Sequence, residues 1–388
     1  MMRRVAIVGI GHSRFGQRSD ASLRELAFEA VKSCLADADL PLQDVESMVV
    51  SVASDEFAFS LQPSAQIVDY LGFHPKPSFR VEGACASGSV AVRTGWMTVA
   101  SGLADLVLVV GAEKMTEIPT GRATEIMGKG GDSIWEYPFG LTFPGYYSLI
   151  ARAHMERYGT TEEQLAQVAV KNHHYGMLNP YAPMRKEIAV DDALNSFMVA
   201  DPLKLYDCCL ISDGAAAILL AVERLAKRIS DRPVWIAGLG LATDTLPLTE
   251  REDLTTLRGA VAAAEQAYRM AGVGPKDIDV AVVHDCFTIA EIVAYEDLGF
   301  CKKGEGGRLI EEKRTYVDGD IPVNVDGGLK SKGHPIGATG VSMAVEIAKQ
   351  LRGEAEPGRQ VEGAAIGLSH NVGGSGQHVA VHVYRREG

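Results

Sequence analysis

Val81-Glu82-Gly83-Ala84-Cys85-Ala86-Ser87-Gly88-Ser89-Val90 decides how the rest of the chain is read. A short extended run, Ser78 to Val81, meets a tight Gly83-Ala84 corner, and a run built for a helix follows from Ser87 to Ala100. Val90, Met97 and Ala100 recur at spacings that share one helical face. Cys85 thus falls at or just before the first helical turn, beside free backbone N–H groups and the positive end of the helix dipole. A thiol so placed has its thiolate favoured and its pKa lowered, which makes it a nucleophile. A cysteine among Ala and Gly is by default a small buried residue. The strand–turn–helix context is what turns the reading toward chemistry.

Working outward, 388 residues with 46% hydrophobic and 23% charged side chains are ordinary for a globular enzyme of two or three domain-sized units. A net charge of −12 without a dense Lys/Arg cluster argues against nucleic-acid binding. Six cysteines (34, 85, 208, 209, 286 and 301) form no C-x-x-C pair, so free thiols and a cytoplasmic location are expected. Val5 to Gly9 is too short for a signal sequence and reads as a first strand, and no apolar run is long enough to span a membrane. Gly9-Ile10-Gly11-His12-Ser13-Arg14-Phe15-Gly16 misplaces the third glycine of a dinucleotide fingerprint, and no phosphate-binding G-x-x-x-x-G-K-[S/T] occurs.

Strands alternate with helices through the first hundred residues, giving an α/β sheet expected to be mostly parallel. The continuous apolar run Leu106–Ala112 reads as a buried strand, and its edge as a dimer interface. Gly, Pro and aromatic residues then rise, as in Phe143-Pro144-Gly145-Tyr146-Tyr147, so residues 115–201 are read as an inserted loop or lid subdomain. The expected division is 1–114 with 202–230, the insertion 115–201, and 231–388. The second half repeats the first. Ala38–Val50 lies over Ala271–Val283 without a gap, an offset of 271 − 38 = 233 residues, and Ala86-Ser87-Gly88 resembles Ala338-Thr339-Gly340. A pseudo-twofold axis would bring the two helix starts together and set Gly333-His334-Pro335-Ile336-Gly337 opposite Cys85.

Three loops of the second half carry polar groups a core would not choose: His284-Asp285-Cys286-Phe287, the Gly333–Gly337 loop, and Ser369-His370-Asn371-Val372-Gly373-Gly374-Ser375-Gly376 after a strand ending at Leu368. All sit where α/β sheets place active sites. His284, Cys286, His334 and His370 could hold zinc, but they lack the short paired spacings of structural sites, and no metal is expected.

The Cys85 elbow, Gly111-Ala112-Glu113-Lys114-Met115, Ser212-Asp213-Gly214-Ala215-Ala216-Ala217, Gly333-His334-Pro335-x-Gly337 and the glycine-rich end loop together resemble the thiolase superfamily, in that family's order and over essentially the whole chain. His284-Asp285-Cys286-Phe287 resembles the loop of the sterol-carrier-protein-type and archaeal acetoacetyl-CoA thiolases, where bacterial thiolases carry Asn-Glu-Ala-Phe. His370 stands where those bacterial enzymes have a catalytic cysteine. The resemblance implies two duplicated α/β halves in five layers (α-β-α-β-α) with an insertion. It implies Claisen condensation of two acetyl-CoA to acetoacetyl-CoA, or the reverse thiolysis. Cys85 would be the nucleophile and Cys286 the carbon base; His334 and His284 would serve as base and oxyanion donors. A loop of His370, Asn371, Val372 and Gly373 would meet the substrate oxyanion. No cofactor is implied beyond coenzyme A as substrate carrier. The implied setting is lipid metabolism in the mevalonate pathway, as a homodimer or homotetramer coupled to an HMG-CoA synthase through a small OB-fold protein. A retro-aldolase on sterol side-chain CoA esters and a non-catalytic thiolase-like scaffold or lipid carrier are the other readings.

Overall fold

The computed structural model describes residues 2–387. The first half runs β1 (Val5–His12), α1 (Leu23–Asp37), β2 (Ser47–Ser51), α2 (Pro63–Tyr70), β3 (Ser78–Val81), α3 (Ser87–Ser101) and β4 (Leu106–Glu113). The insertion holds α4 (Thr120–Gly128), α5 (Phe143–Tyr158), α6 (Glu162–Leu178), α7 (Val190–Leu194) and the small hairpin β5 (Met198–Ala200) with β6 (Leu203–Lys204). The chain then returns as β7 (Gly214–Val222), and α8 (Glu223–Ile229) leads into the second half. That half is β8 (Val234–Thr243), α9 (Arg258–Ala271), β9 (Val280–Val282), α10 (Thr288–Asp297), α11 (Gly306–Glu311), α12 (Gly328–Lys332), α13 (Ile336–Arg352), β10 (Ile366–Gly373) and β11 (His378–Arg386).

Local signals explain the boundaries. The Ser22 amide donates to Glu25 at 2.8 Å to open α1, Thr161 and Gln164 cap α6 reciprocally, and α3 stops at the left-handed Gly102. On α3 the buried face is Ala91, Val92, Gly95, Trp96 and Val99, whereas Met97 is exposed.

Four strands follow the same order in each half, β1-β7-β4-β2 and β8-β11-β10-β9, with β3 added beyond β2 in the first, and the two half-sheets meet through two residue pairs between the antiparallel β1 and β8. That mirrored order is the duplication. α1 packs outside one sheet and α9 outside the other, while α3 and α13 lie between the sheets, giving five layers. α3 and α13 cross where neither has a side chain: a Cβ on Gly88 would stand 2.6 Å from the Gly340 nitrogen, and one on Gly340 2.1 Å from the Ser89 nitrogen. The two helix starts do meet in the middle.

The sheet order corrects one expectation. Leu106–Ala112 is not an edge, because β7 arrives a hundred residues later and pairs with it on one side while β2 pairs on the other. The open edge is β3, whose residues are half-buried to exposed. No helix among the described residues is long and apolar enough to cross a membrane.

Candidate active site

Ala84 has φ 50°, in the left-handed region, so the chain turns sharply between β3 and α3 and presents Cys85 one residue later. An alanine there stores roughly 1–3 kcal/mol of strain, tolerated where the surroundings fix it. Ser87 fixes it: its hydroxyl accepts from the Gly83 amide at 3.0 Å and donates to the Ala84 carbonyl at 2.6 Å.

A cavity of about 580 Å³ opens on Cys85. Cys85, His284, Cys286 and His334 all line it, with apolar walls from Phe57, Met115, Ile126, Phe143 and Ile336. The Cys85 sulfur and one ring nitrogen each of His284 and His334 lie within 4.8 Å of one another, and the two rings stand edge to face at 4.9 Å. Both Nε2 atoms are buried without a protein partner.

His334 Nδ1 is 2.7 Å from the Thr339 hydroxyl, which donates to the Pro335 carbonyl at 2.9 Å. His284 Nδ1 is 3.1 Å from the Asn371 amide nitrogen. Burial pushes His334 down to about 3, and burial with the neighbouring His334 and His370 holds His284 well below its usual range, so both imidazoles are neutral at pH 7.

Burial also pushes the Cys85 thiol up to about 12, against the pull of the Gly374 amide and its own amide. The lowered thiol pKa expected at a helix start is therefore not the resting condition, because loss of hydration outweighs two amide dipoles. Cys85 rests as a thiol and needs a base, and His334 is the neutral imidazole beside it. Cys286 is likewise raised by burial, next by Cys209, with the Tyr147 hydroxyl lowering it.

Three placements differ from the sequence reading. β10 continues through Gly373, paired with β11 at every residue from Ile366, so His370, Asn371, Val372 and Gly373 lie in the sheet rather than on a loop. None of the four is among the described residues lining the cavity; the residue there is Gly374, whose amide faces the Cys85 sulfur. His370 is buried with both ring nitrogens unpartnered. Asp285, from the His-Asp-Cys-Phe loop, points away from the cavity and accepts from Asn172 Nδ2 at 2.8 Å and the Leu329 amide at 2.7 Å, bracing that loop against α6 and α12.

Two residues were missed. Tyr147 stacks on Phe287 at 4.7 Å and donates to the Gly374 carbonyl at 3.2 Å beside the Cys286 sulfur. Its only sequence signal is the aromatic run of the insertion. Glu113 is fully buried and accepts from the Ala53 and Gly337 amides, both at 2.8 Å, tying the cavity wall to the first turn of α13. Burial pushes its carboxyl up to about 7.

Two family models match this chain: "Thiolase, N-terminal domain" over residues 5–224 and "Thiolase C-terminal domain-like" over 240–386. The chain belongs to the thiolase family. Among thiolase-family relatives, an acetyl-CoA acetyltransferase of Methanothermobacter thermautotrophicus is 47% identical over 99% of this chain and 100% of its own length. Human sterol carrier protein 2 is 35% identical over 99% of this chain and 72% of its own length. The solved structure of the Ltp2-ChsH2(DUF35) aldolase superposes with a TM-score of 0.85 at 26% identity, covering 98% of both chains. Human mitochondrial 3-ketoacyl-CoA thiolase, at 16% identity and a TM-score of 0.76 over 100% and 99% of the chains, shares the fold.

Proposed function

We propose that this thiolase is an acetyl-CoA C-acetyltransferase, condensing two acetyl-CoA to acetoacetyl-CoA or running the thiolytic reverse through an acetyl-Cys85 intermediate. The observation that carries the reading is the cluster of Cys85 sulfur and two neutral imidazoles within 4.8 Å at one cavity, with Cys286 on its wall.

His334 takes the Cys85 proton, and the thiolate adds to the thioester carbonyl. The tetrahedral oxyanion is held by the Cys85 and Gly374 amides, each such donor being worth roughly 10²–10³ in rate. Cys286 gives its proton to the departing coenzyme A sulfur and remains as a thiolate paired with the His334 imidazolium. Desolvated, that thiolate is a strong base and removes the α-proton of the second acetyl-CoA. His284 and His334 hydrogen-bond the enolate oxygen, its carbon attacks the acetyl group, and His334 returns its proton to the released Cys85. All three groups end as they began.

Free thiols at all six cysteines fit a cytoplasmic setting and a place in mevalonate-type lipid metabolism. No resident cofactor enters this scheme. The open β3 edge, with Phe79 exposed, is where a second copy adds strand to strand in a homodimer. Exposed Ile134, Trp135 and Phe139 on the insertion offer apolar surface to a small bridging protein, as in coupling to an HMG-CoA synthase. Light scattering giving a stable monomer of 41.5 kDa would contradict the dimer. The activity is tested by assaying acetyl-, acetoacetyl- and longer 3-ketoacyl-CoA side by side. Turnover of acetoacetyl-CoA supports the reading, and cleavage of β-hydroxyacyl-CoA alone would favour the retro-aldolase.

A further inference from the structure

A neutral imidazole carries one N–H and one lone pair, and the nitrogen facing the substrate decides whether it accepts or donates a proton. For His334 the run of hydrogen bonds through Thr339 settles this. The Thr339 hydroxyl uses its hydrogen on the Pro335 carbonyl at 2.9 Å, so it accepts from His334 Nδ1–H at 2.7 Å. The lone pair is left on Nε2.

For His284 the deciding group is Asn371. Its Nδ2 lies 3.0 Å from the Cys85 carbonyl oxygen, which can only accept, and 3.1 Å from His284 Nδ1. The opposite amide orientation would set Oδ1 against that carbonyl, two acceptors face to face. With the NH₂ group toward both, Nδ1 accepts and the imidazole proton sits on Nε2. This orientation leaves Asn371 Oδ1 buried and unpartnered, a loss of about 1–3 kcal/mol that packing alone would not retain. It also needs Gly340 bare, since a Cβ there would stand 2.4 Å from Oδ1.

We propose that Asn371 is a positioning residue that fixes His284 as the Nε2–H tautomer, making it a hydrogen-bond donor beside His334 as the acceptor. The two rings thereby differ at rest: His334 is free to receive the thiol proton and donates to the enolate oxygen only after doing so, whereas His284 is a donor to that oxygen from the start, a role that rests on the condensation reading above. The same assignment bears on metals. Cys85 with two imidazoles is a donor set that zinc takes. A proton on His284 Nε2 denies it one ligand, and moving that proton to Nδ1 would set N–H against N–H of Asn371.

The test starts with substrate-free wild-type protein carrying ¹⁵N-histidine, the His284 signals being assigned by their loss in His284→Ala. Nitrogen shifts at pH 7 should show Nε2 protonated and Nδ1 bare; an Nδ1–H form overturns the proposal. Asn371→Asp supplies a carboxylate that accepts from Nδ1–H and should reverse the tautomer. Condensation turnover should then fall by about 10²-fold or more while KM for acetyl-CoA changes only a few-fold. Iodoacetamide should still alkylate Cys85, and Zn²⁺ should now protect that thiol at concentrations without effect on the wild type. Wild-type turnover in a folded Asn371→Asp overturns the proposal, and the wild-type spectrum decides even where this variant does not fold. A correct tautomer in a protein that makes no acetoacetyl-CoA would sink the condensation reading and leave the assignment of Asn371 standing.

Discussion

Gly340→Ala tests whether the crossing of α3 and α13 sets the geometry of the site. By helix propensity alone the change should stabilise, since alanine is favoured over glycine by about 0.8–1 kcal/mol in a helix interior. The structure predicts the opposite sign. The new Cβ would stand 2.1 Å from the Ser89 nitrogen, where real contacts do not close below 3.0 Å. The neighbour is backbone, so the two helices must part by roughly 0.9 Å, overpacking of the kind that costs about 1–3 kcal/mol. Both helices begin at catalytic groups, Cys85 just before α3 and His334 just before α13. A displacement near 1 Å there lowers turnover by about 10²-fold. The assay pairs urea unfolding with acetoacetyl-CoA thiolysis on the purified variant. Net destabilisation with a hundredfold loss of kcat is expected. Parental stability and parental turnover together would refute the claim that this contact holds the site.

Cys85→Ala should keep the fold, since it truncates a half-buried corner residue, and abolish acyl transfer; retention of activity would place the nucleophile elsewhere. Cys286→Ser should still form the acyl-enzyme but lose α-proton exchange and condensation, and near-normal condensation would move the base to another group lining the cavity. Glu113 gives a pH signature. Its carboxyl is raised from 4.5 to about 7 in the folded protein, so its contribution is fully present below 4.5 and is lost as pH rises through about 7. Relative to Glu113→Gln, wild-type stability should fall between pH 5 and 7, by up to about 1.4 kcal/mol per unit, and level off above. A difference that stays flat with pH would mean that Glu113 does not titrate there.

Much of this was legible in local sequence. The Cys85 elbow and the His284–Phe287 and Gly333–Gly337 loops are short-range patterns that the structure brings to one cavity, and the repeat of Ala38–Val50 at Ala271–Val283 was legible by direct overlay. What failed was set by partners distant in the chain. Leu106–Ala112 looked like an edge because β7 covers it only after the insertion. His370–Gly373 looked like a loop because of its glycines, yet β11 pairs with it residue for residue. The thiol of Cys85 looked acidic because the helix start is a local feature, whereas the enclosure that raises it is assembled from the insertion and both halves. Tyr147 had no motif at all, and the positive φ of Ala84 has no sequence mark, since alanine rarely adopts it.

The central claim is a thioester on Cys85 that a second acetyl-CoA turns into acetoacetyl-CoA. Rapid quenching after mixing with one equivalent of acetyl-CoA, followed by peptide mass spectrometry, should find a single acetyl group on Cys85. A chase with isotopically labelled acetyl-CoA should remove it as acetoacetyl-CoA carrying one labelled and one unlabelled acetyl unit. An acetyl group found only on Cys208, Cys209 or Cys301, or an acetyl-Cys85 that the chase returns only as acetate, would contradict the account.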